Sequence, residues 1–229
     1  MKVPTLPMAA ALALNIFASA AMAQANSGAM MRVSTDSSIV SVSDQTETRP
    51  AGKFSGIDLR APADVVFSVG ASPSIIVSGP AEVLPLLLTS IHDDVLTISL
   101  KDSVTQMKGV KVVITNPSLH AVNVTGSGSM KASGINGASL DLNVSGSGAI
   151  VAAGRATTVN VAVSGSGEAD VHAIHASTVN ASVHGSGDLR AYASSAAIVD
   201  VAGSGDVKIS GKPATRVVHR GGSGDVSFE

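Results

Sequence analysis

Four acidic side chains stand directly behind a repeated Gly-Ser-Gly triplet: Glu168, Asp188, Asp206 and Asp225. Oxygen ligands clustered at a turn are what a hard cation such as calcium takes, so a stacked column of them would be a weak cation site. The opposing reading is a row of solvated turn acids. In two copies a base stands two residues further on, Arg190 after Asp188 and Lys208 after Asp206, which pairs charge along one face. Asp is also a good turn former. The nonapeptide calcium solenoid places its Asp one residue further from the glycine. These acids are therefore read as turn residues, and no metal ligand is assigned.

Glu168, Asp170 and His172 alternate along one stretch, beside Asp188, Arg190 and Tyr192 on the next. Two carboxylates and a histidine are the raw material of acid-base chemistry, but nothing nearby supplies a cleft. His172, His175 and His184 lack the i, i+2 spacing that metal ligation from a strand favours. Ser127, Ser147, Ser166, Ser186, Ser204 and Ser223 occupy equivalent places in six triplets without a partnered His-acid pair, which marks corners rather than nucleophiles. Phosphate-cradling glycine loops open a helix, whereas each triplet here opens another β-pattern. No catalytic, cofactor-binding or metal residue is assigned.

The whole composition agrees. A net charge of -2 gives no basic field to hold phosphates, so nucleic acid is not an expected partner. One Tyr, no Trp and 2% aromatic residues leave little for stacking bases or sugar rings. With no cysteine there is neither a disulfide framework nor a thiolate site.

The elements that carry these residues are set by an internal repeat. Gly-Ser-Gly begins at 126, 146, 165, 185, 203 and 222, spacings of 20, 19, 20, 18 and 19. A fixed period near 19 is a solenoid signature. Two and four positions before the first Gly stand apolar residues such as Val144 and Leu142; four and six after it stand residues such as Ile150 and Ala152. Arg220 is the one exception. Period two on both sides of a glycine corner means two short strands, each with one inward face. Outward positions of the leading strand are Asn123, Asn143, Ala162, Ser182, Asp200 and His219. The rest of each period, such as 173–178, is expected to form a third side or loop. A lone coil buries too few side chains to offset ~1–2 kcal/mol of ordering per residue, so the coils must stack. An antiparallel sandwich or barrel also tolerates such strand lengths, but does not return one residue type every 19 positions. The expected fold is all-β: a right-handed parallel β-helix, or solenoid, with coils of about 19 residues.

Three segments are expected. Residues 1–23 carry a Lys, an apolar run and Ala21-Met22-Ala23, the order of a cleaved signal peptide. Residues 24–53, rich in Ser, Thr and Asp, read as a linker or loosely attached arm. Residues 54–229 form one solenoid domain, with irregular strands over 54–118 and regular coils over 119–229. Within 54–118, Pro80 to Ile91 has room for one or two helical turns, limited by Pro85. No later run is apolar enough to span a membrane, so the product is not expected to be integral to one.

From Phe54 onward the chain resembles the putative auto-transporter adhesin, head GIN domain family of exported bacterial proteins. The carriers are Phe54-Ser-Gly-Ile-Asp-Leu59, Ala63-Asp-Val-Val-Phe-Ser-Val-Gly70, Ile75-Ile-Val-Ser-Gly79, Asp94-Val-Leu-Thr-Ile-Ser-Leu100 and the serial Val-x-Val-x-Gly-Ser-Gly units. The resemblance implies a right-handed parallel β-helix and an envelope or surface location, and brings no catalytic residues. The leading expectation is a non-catalytic, adhesin-like module, periplasmic or on the cell surface. It would bind an envelope or surface ligand, carbohydrate or protein. Two alternatives stand beside it. One is a polysaccharide lyase or hydrolase, whose aromatic-lined groove is missing from this composition. The other is a self-assembling envelope structural protein. Against assembly, Arg216, His219 and Arg220 break the pattern of the last coil and read as edge protection, predicting a monomer or small oligomer.

Overall fold

A computed structural model describes residues 44–101 and 109–229. The expected signal peptide and residues 24–43 of the expected arm lie outside the described residues. Among the described residues seven strands precede the repeat: β1 (Asp44–Arg49), β2 (Gly56–Leu59), β3 (Asp64–Val69), β4 (Ser74–Pro80), β5 (Leu87–His92), β6 (Val95–Leu100) and β7 (Lys111–Asn116). The repeat contributes β8 (Ala121–Gly126), β9 (Ser129–Gly146), β10 (Ala149–Gly165), β11 (Glu168–Gly185) and β12 (Asp188–Gly203). It closes with β13 (Val207–Ser210), β14 (Thr215–Arg220) and β15 (Val226–Phe228). Successive coils pair in parallel, β9 to β10 to β11 to β12, as a stacked β-solenoid requires. The long strands run through the third side as well as the two strands read from the sequence, so this side is strand rather than loop.

Each coil presents two faces that meet at the Gly-Ser-Gly corner. The leading face runs from the β5–β6 hairpin through β2 and β8 to the second halves of β9, β10, β11 and β12, then β14. The trailing face runs β1, β4, β7, β3, the first halves of β9 to β12, β13 and β15. Between them lies a single narrow core. The residues assigned inward by period two are buried in every regular coil; only Val218, Arg220 and Phe228, in the last, are not. Val, Ala and Leu fill this interior, and Phe54 and Phe67, the two buried rings among the described residues, lie in the irregular N-terminal part.

The corner needs its glycines for two different reasons. Gly146 has φ +113, a backbone conformation that side chains with a Cβ rarely adopt. The second glycine is excluded from having a Cβ by closeness: at Gly167 it would stand 2.5 Å from both the Gly148 carbonyl oxygen and a Val144 methyl. Corners are bonded directly to one another, as Ser147 N–H donates to the Gly126 carbonyl at 2.9 Å and Ser166 N–H to that of Gly146 at 2.9 Å. Coil length nevertheless varies. The mismatch is absorbed in register shifts at Val151/Ala153 and Val171/Ala176, on the trailing and third sides, while Gly146, Gly165, Gly185 and Gly203 stay opposite one another.

The N-terminal end is closed by antiparallel strands. Asp44–Arg49, within the segment read as an arm, is strand β1 and pairs with β4. Its sequence DQTETR has no apolar alternation because it is an exposed edge strand, where charge discourages further pairing. Arg49 donates to the Leu84 carbonyl at 2.8 Å and pairs with Glu47 at 2.9 Å. Between Pro80 and Ile91 there is one 3-10 turn, Leu84–Leu86, and then β5. Asp93 and Asp94, at φ 49 and 64, form the two-residue turn joining β5 to β6, with the positive φ at both positions that the twist of a tight hairpin demands. At the other end Arg216 lies over the Phe228 ring, 4.8 Å from its centroid, and Arg220 donates to the Val226 carbonyl at 3.0 Å. Arg220 thus occupies an inward place in the pattern but turns out across the rim.

Candidate functional site: a carboxamide-laddered groove

Parallel stacking in register sets each outward side chain opposite its equivalent, one coil spacing of ~4.8 Å away. Asn exploits this geometry because its carboxamide both donates and accepts, so a row of them can chain. Two such rows run along the leading face. In one, Asn123 donates to Asp58 Oδ1 at 2.9 Å and Asn143 donates to Asn123 Oδ1 at 3.0 Å. In the other, Asn160 donates to Asp141 Oδ1 at 2.6 Å and Asn180 to Asn160 Oδ1 at 2.8 Å. Each ladder begins on a carboxylate, which can only accept. Asp58 is nearly buried and also holds the Arg60 guanidinium at 2.7 Å.

Between the rows runs an open groove of about 660 Å³. It extends from Val95 and Gly56 to Ile198. The side chains of Val122, Leu142 and Val161 point into the core, so only their main chain can form the groove floor. The amides spend their polarity on one another, and the surface between them is largely apolar. Among the described residues no Lys or Arg lines the groove.

The residues singled out by type behave differently. Glu168 and Asp188 are register partners; the Asp206 N–H donates to Asp188 Oδ1 at 3.2 Å, and the Asp225 N–H donates to Asp206 Oδ1 at 3.1 Å. Asp188 and Asp206 therefore serve the main chain of the next corner, while Asp225 lies 3.7 Å from the Arg220 guanidinium. Arg190 pairs with Glu168 at 2.7 Å, and His172 Nδ1 is hydrogen-bonded to Asp170. His175 meets the Tyr192 ring edge-on at 5.1 Å, while His184 lies on the leading face opposite Ser164 and Ala202. Among the described residues no group of three His, Cys, Asp or Glu side chains could hold a metal ion. The six corner serines are exposed, and Ser204 and Ser223 share a hydroxyl contact at 3.1 Å.

Residues 53–213 match the family described as putative auto-transporter adhesin, head GIN domain. The chain belongs to this family. Solved structures share the fold. A putative adhesin from Bacteroides fragilis NCTC 9343 is 20% identical with a TM-score of 0.65, the match covering 82% of this chain and 97% of that one. A putative lipid binding protein from Parabacteroides distasonis ATCC 8503 is 18% identical with a TM-score of 0.54, covering 80% and 96%. A putative adhesin from Parabacteroides merdae ATCC 43184 is 17% identical with a TM-score of 0.51, again covering 80% and 96%. No curated protein matches the chain by sequence. The head GIN domain match spans both the irregular N-terminal strands and the coils carrying both ladders. Among the described residues no helix is long and apolar enough to cross a membrane.

One row of the groove was in reach of the sequence, as the outward positions three before the corner glycine. The other, five before it, holds Asp141, Asn160 and Asn180 and is not among the strand positions that period two assigns beside the corner. Its signal was an Asn returning at one offset of the repeat. Asp58, which begins the first ladder, lies outside the repeat and carried no signal of its own.

Proposed function

We propose that this protein is a non-catalytic, exported binding module, periplasmic or at the cell surface, that docks an envelope or surface ligand along its leading face. The observation that carries the reading is the pair of hydrogen-bonded carboxamide rows flanking an open groove. Polar groups held in place by their neighbours lose little freedom on binding, which favours recognition. On the trailing face Arg190 is engaged with Glu168, and Asp188 and Asp206 with the main chain of the next corner. Membership of an adhesin-like family supports the same conclusion by analogy.

The direct experiment incubates the full chain with cell-envelope fractions and a polysaccharide panel, scoring retention and new reducing or unsaturated ends. Saturable retention without chain cleavage is expected. Appearance of new ends would restore a lyase or hydrolase and overturn the non-catalytic reading.

A further inference from the structure

We infer that the leading-face groove takes a neutral oligosaccharide whose rings lie over two basins staggered across it; this deepens the binding reading above and rests on it. The stagger comes from small residues facing each ladder. Where Asp58 and Asn123 form one wall, the opposite places are Gly56 and Ala121. Where Asn160 and Asn180 form the other, the opposite places are Ala162 and Ser182. The coil between them has long polar side chains on both sides, Asp141 and Asn143, whereas Ser182 opposite Asn180 adds only a short hydroxyl. The groove is therefore two shallow floors on opposite sides, about three coil spacings or ~14 Å apart. A ligand reaching both must be longer than one sugar ring.

The chemistry of the lining selects the ligand class. A pyranose ring offers C–H faces and a rim of hydroxyls that donate and accept. The floors offer main chain and methyl groups to the former. Each ladder carboxamide retains a second N–H, and Asp141 a second carboxylate oxygen, for the latter. Charge narrows the class further. Asp58 is paired with Arg60; among the described residues Asp141 is not paired with a cation and no cation lines the groove, so a uronate or phosphate polymer meets repulsion. An uncharged hydroxyl-rich chain meets only acceptors and donors. The exposed Ile198 closes the far end.

The test is calorimetric titration of the full chain with gluco- and manno-oligosaccharides from disaccharide to hexasaccharide, beside a uronate oligomer, and of two variants, Ala121→Phe and Ala162→Phe. Each fills one basin from an outward sheet position, and unchanged melting confirms folding. Affinity should rise with length until both basins are spanned, with each variant weakening the longer ligands at least about tenfold. The uronate should bind less well than its neutral counterpart. Neutral oligosaccharide binding untouched by both variants would overturn the site. If no neutral oligosaccharide binds, or the uronate binds better, while Ala162→Phe still abolishes retention on envelope fractions, the ligand class is wrong and the binding face stands. If neither variant alters envelope retention, both the inference and the binding reading fall.

Discussion

The leading and trailing faces are built from the same coils, on one backbone and around one core, and differ only in what points outward. On the trailing face, charged side chains reach across coils to opposite charges, as Arg190 does to Glu168 and Lys208 to Glu229 at 3.6 Å. These groups are about half exposed and remain hydrated. On the leading face, amides bond in rows along the stack and leave a groove between the rows. Ion pairs fill the surface they stand on, whereas ladders confine polarity to lines and uncover the main chain between them. The core and corners therefore fix the fold, and the outward positions decide which side can hold a ligand.

Substitutions of graded severity sharpen this contrast. The largest expected effect is at the corner common to both faces. Gly167→Val would drive side-chain atoms into the Gly148 carbonyl and Val144, so unfolding in urea should show a loss of at least about 3 kcal/mol, with both faces disrupted together. Leu142→Ala, directly beneath the groove, leaves a cavity in a core that cannot collapse without shifting neighbouring coils. About 2–4 kcal/mol should be lost in the same measurement. Asn160→Ala removes the centre of one ladder, taking both its bond to Asp141 and that from Asn180. The expected cost is about 1 kcal/mol, because the freed groups can reach water. Arg190→Ala on the trailing face should change stability by no more than about 0.5 kcal/mol, since its ion pairs lie in solvent. A larger loss from Arg190→Ala than from Asn160→Ala would reverse the contrast between the faces.

The two halves of the chain were not equally readable. Coils from 119 onward announce themselves because Val124, Val144, Val163 and Val183 return at one distance from each corner, and a repeat fixes register as well as strand. Before 119 each strand has its own sequence. The extended segments were legible, but not that β4 and β5 turn antiparallel, nor that the polar β1 pairs at the edge. Those are decisions of tertiary pairing, which a single strand's alternation does not encode. The groove shows the same divide. Asn at an outward position reads simply as a solvated polar residue. Only stacking in register turns Asn123 and Asn143 into one row and Asn160 and Asn180 into another. The acids and histidines of the trailing face have local roles instead: binding the next corner's N–H, pairing a base, or packing against Tyr192.

The claim that ligand binding belongs to the leading face is tested most directly by matched ring insertions, Ala162→Phe there and Val151→Phe on the trailing face. Both are outward positions of β10. Retention of each full-length variant on cell-envelope fractions is compared with that of the unmodified protein. Ala162→Phe is expected to lose retention and Val151→Phe to keep it. Loss with Val151→Phe and retention with Ala162→Phe would contradict the claim.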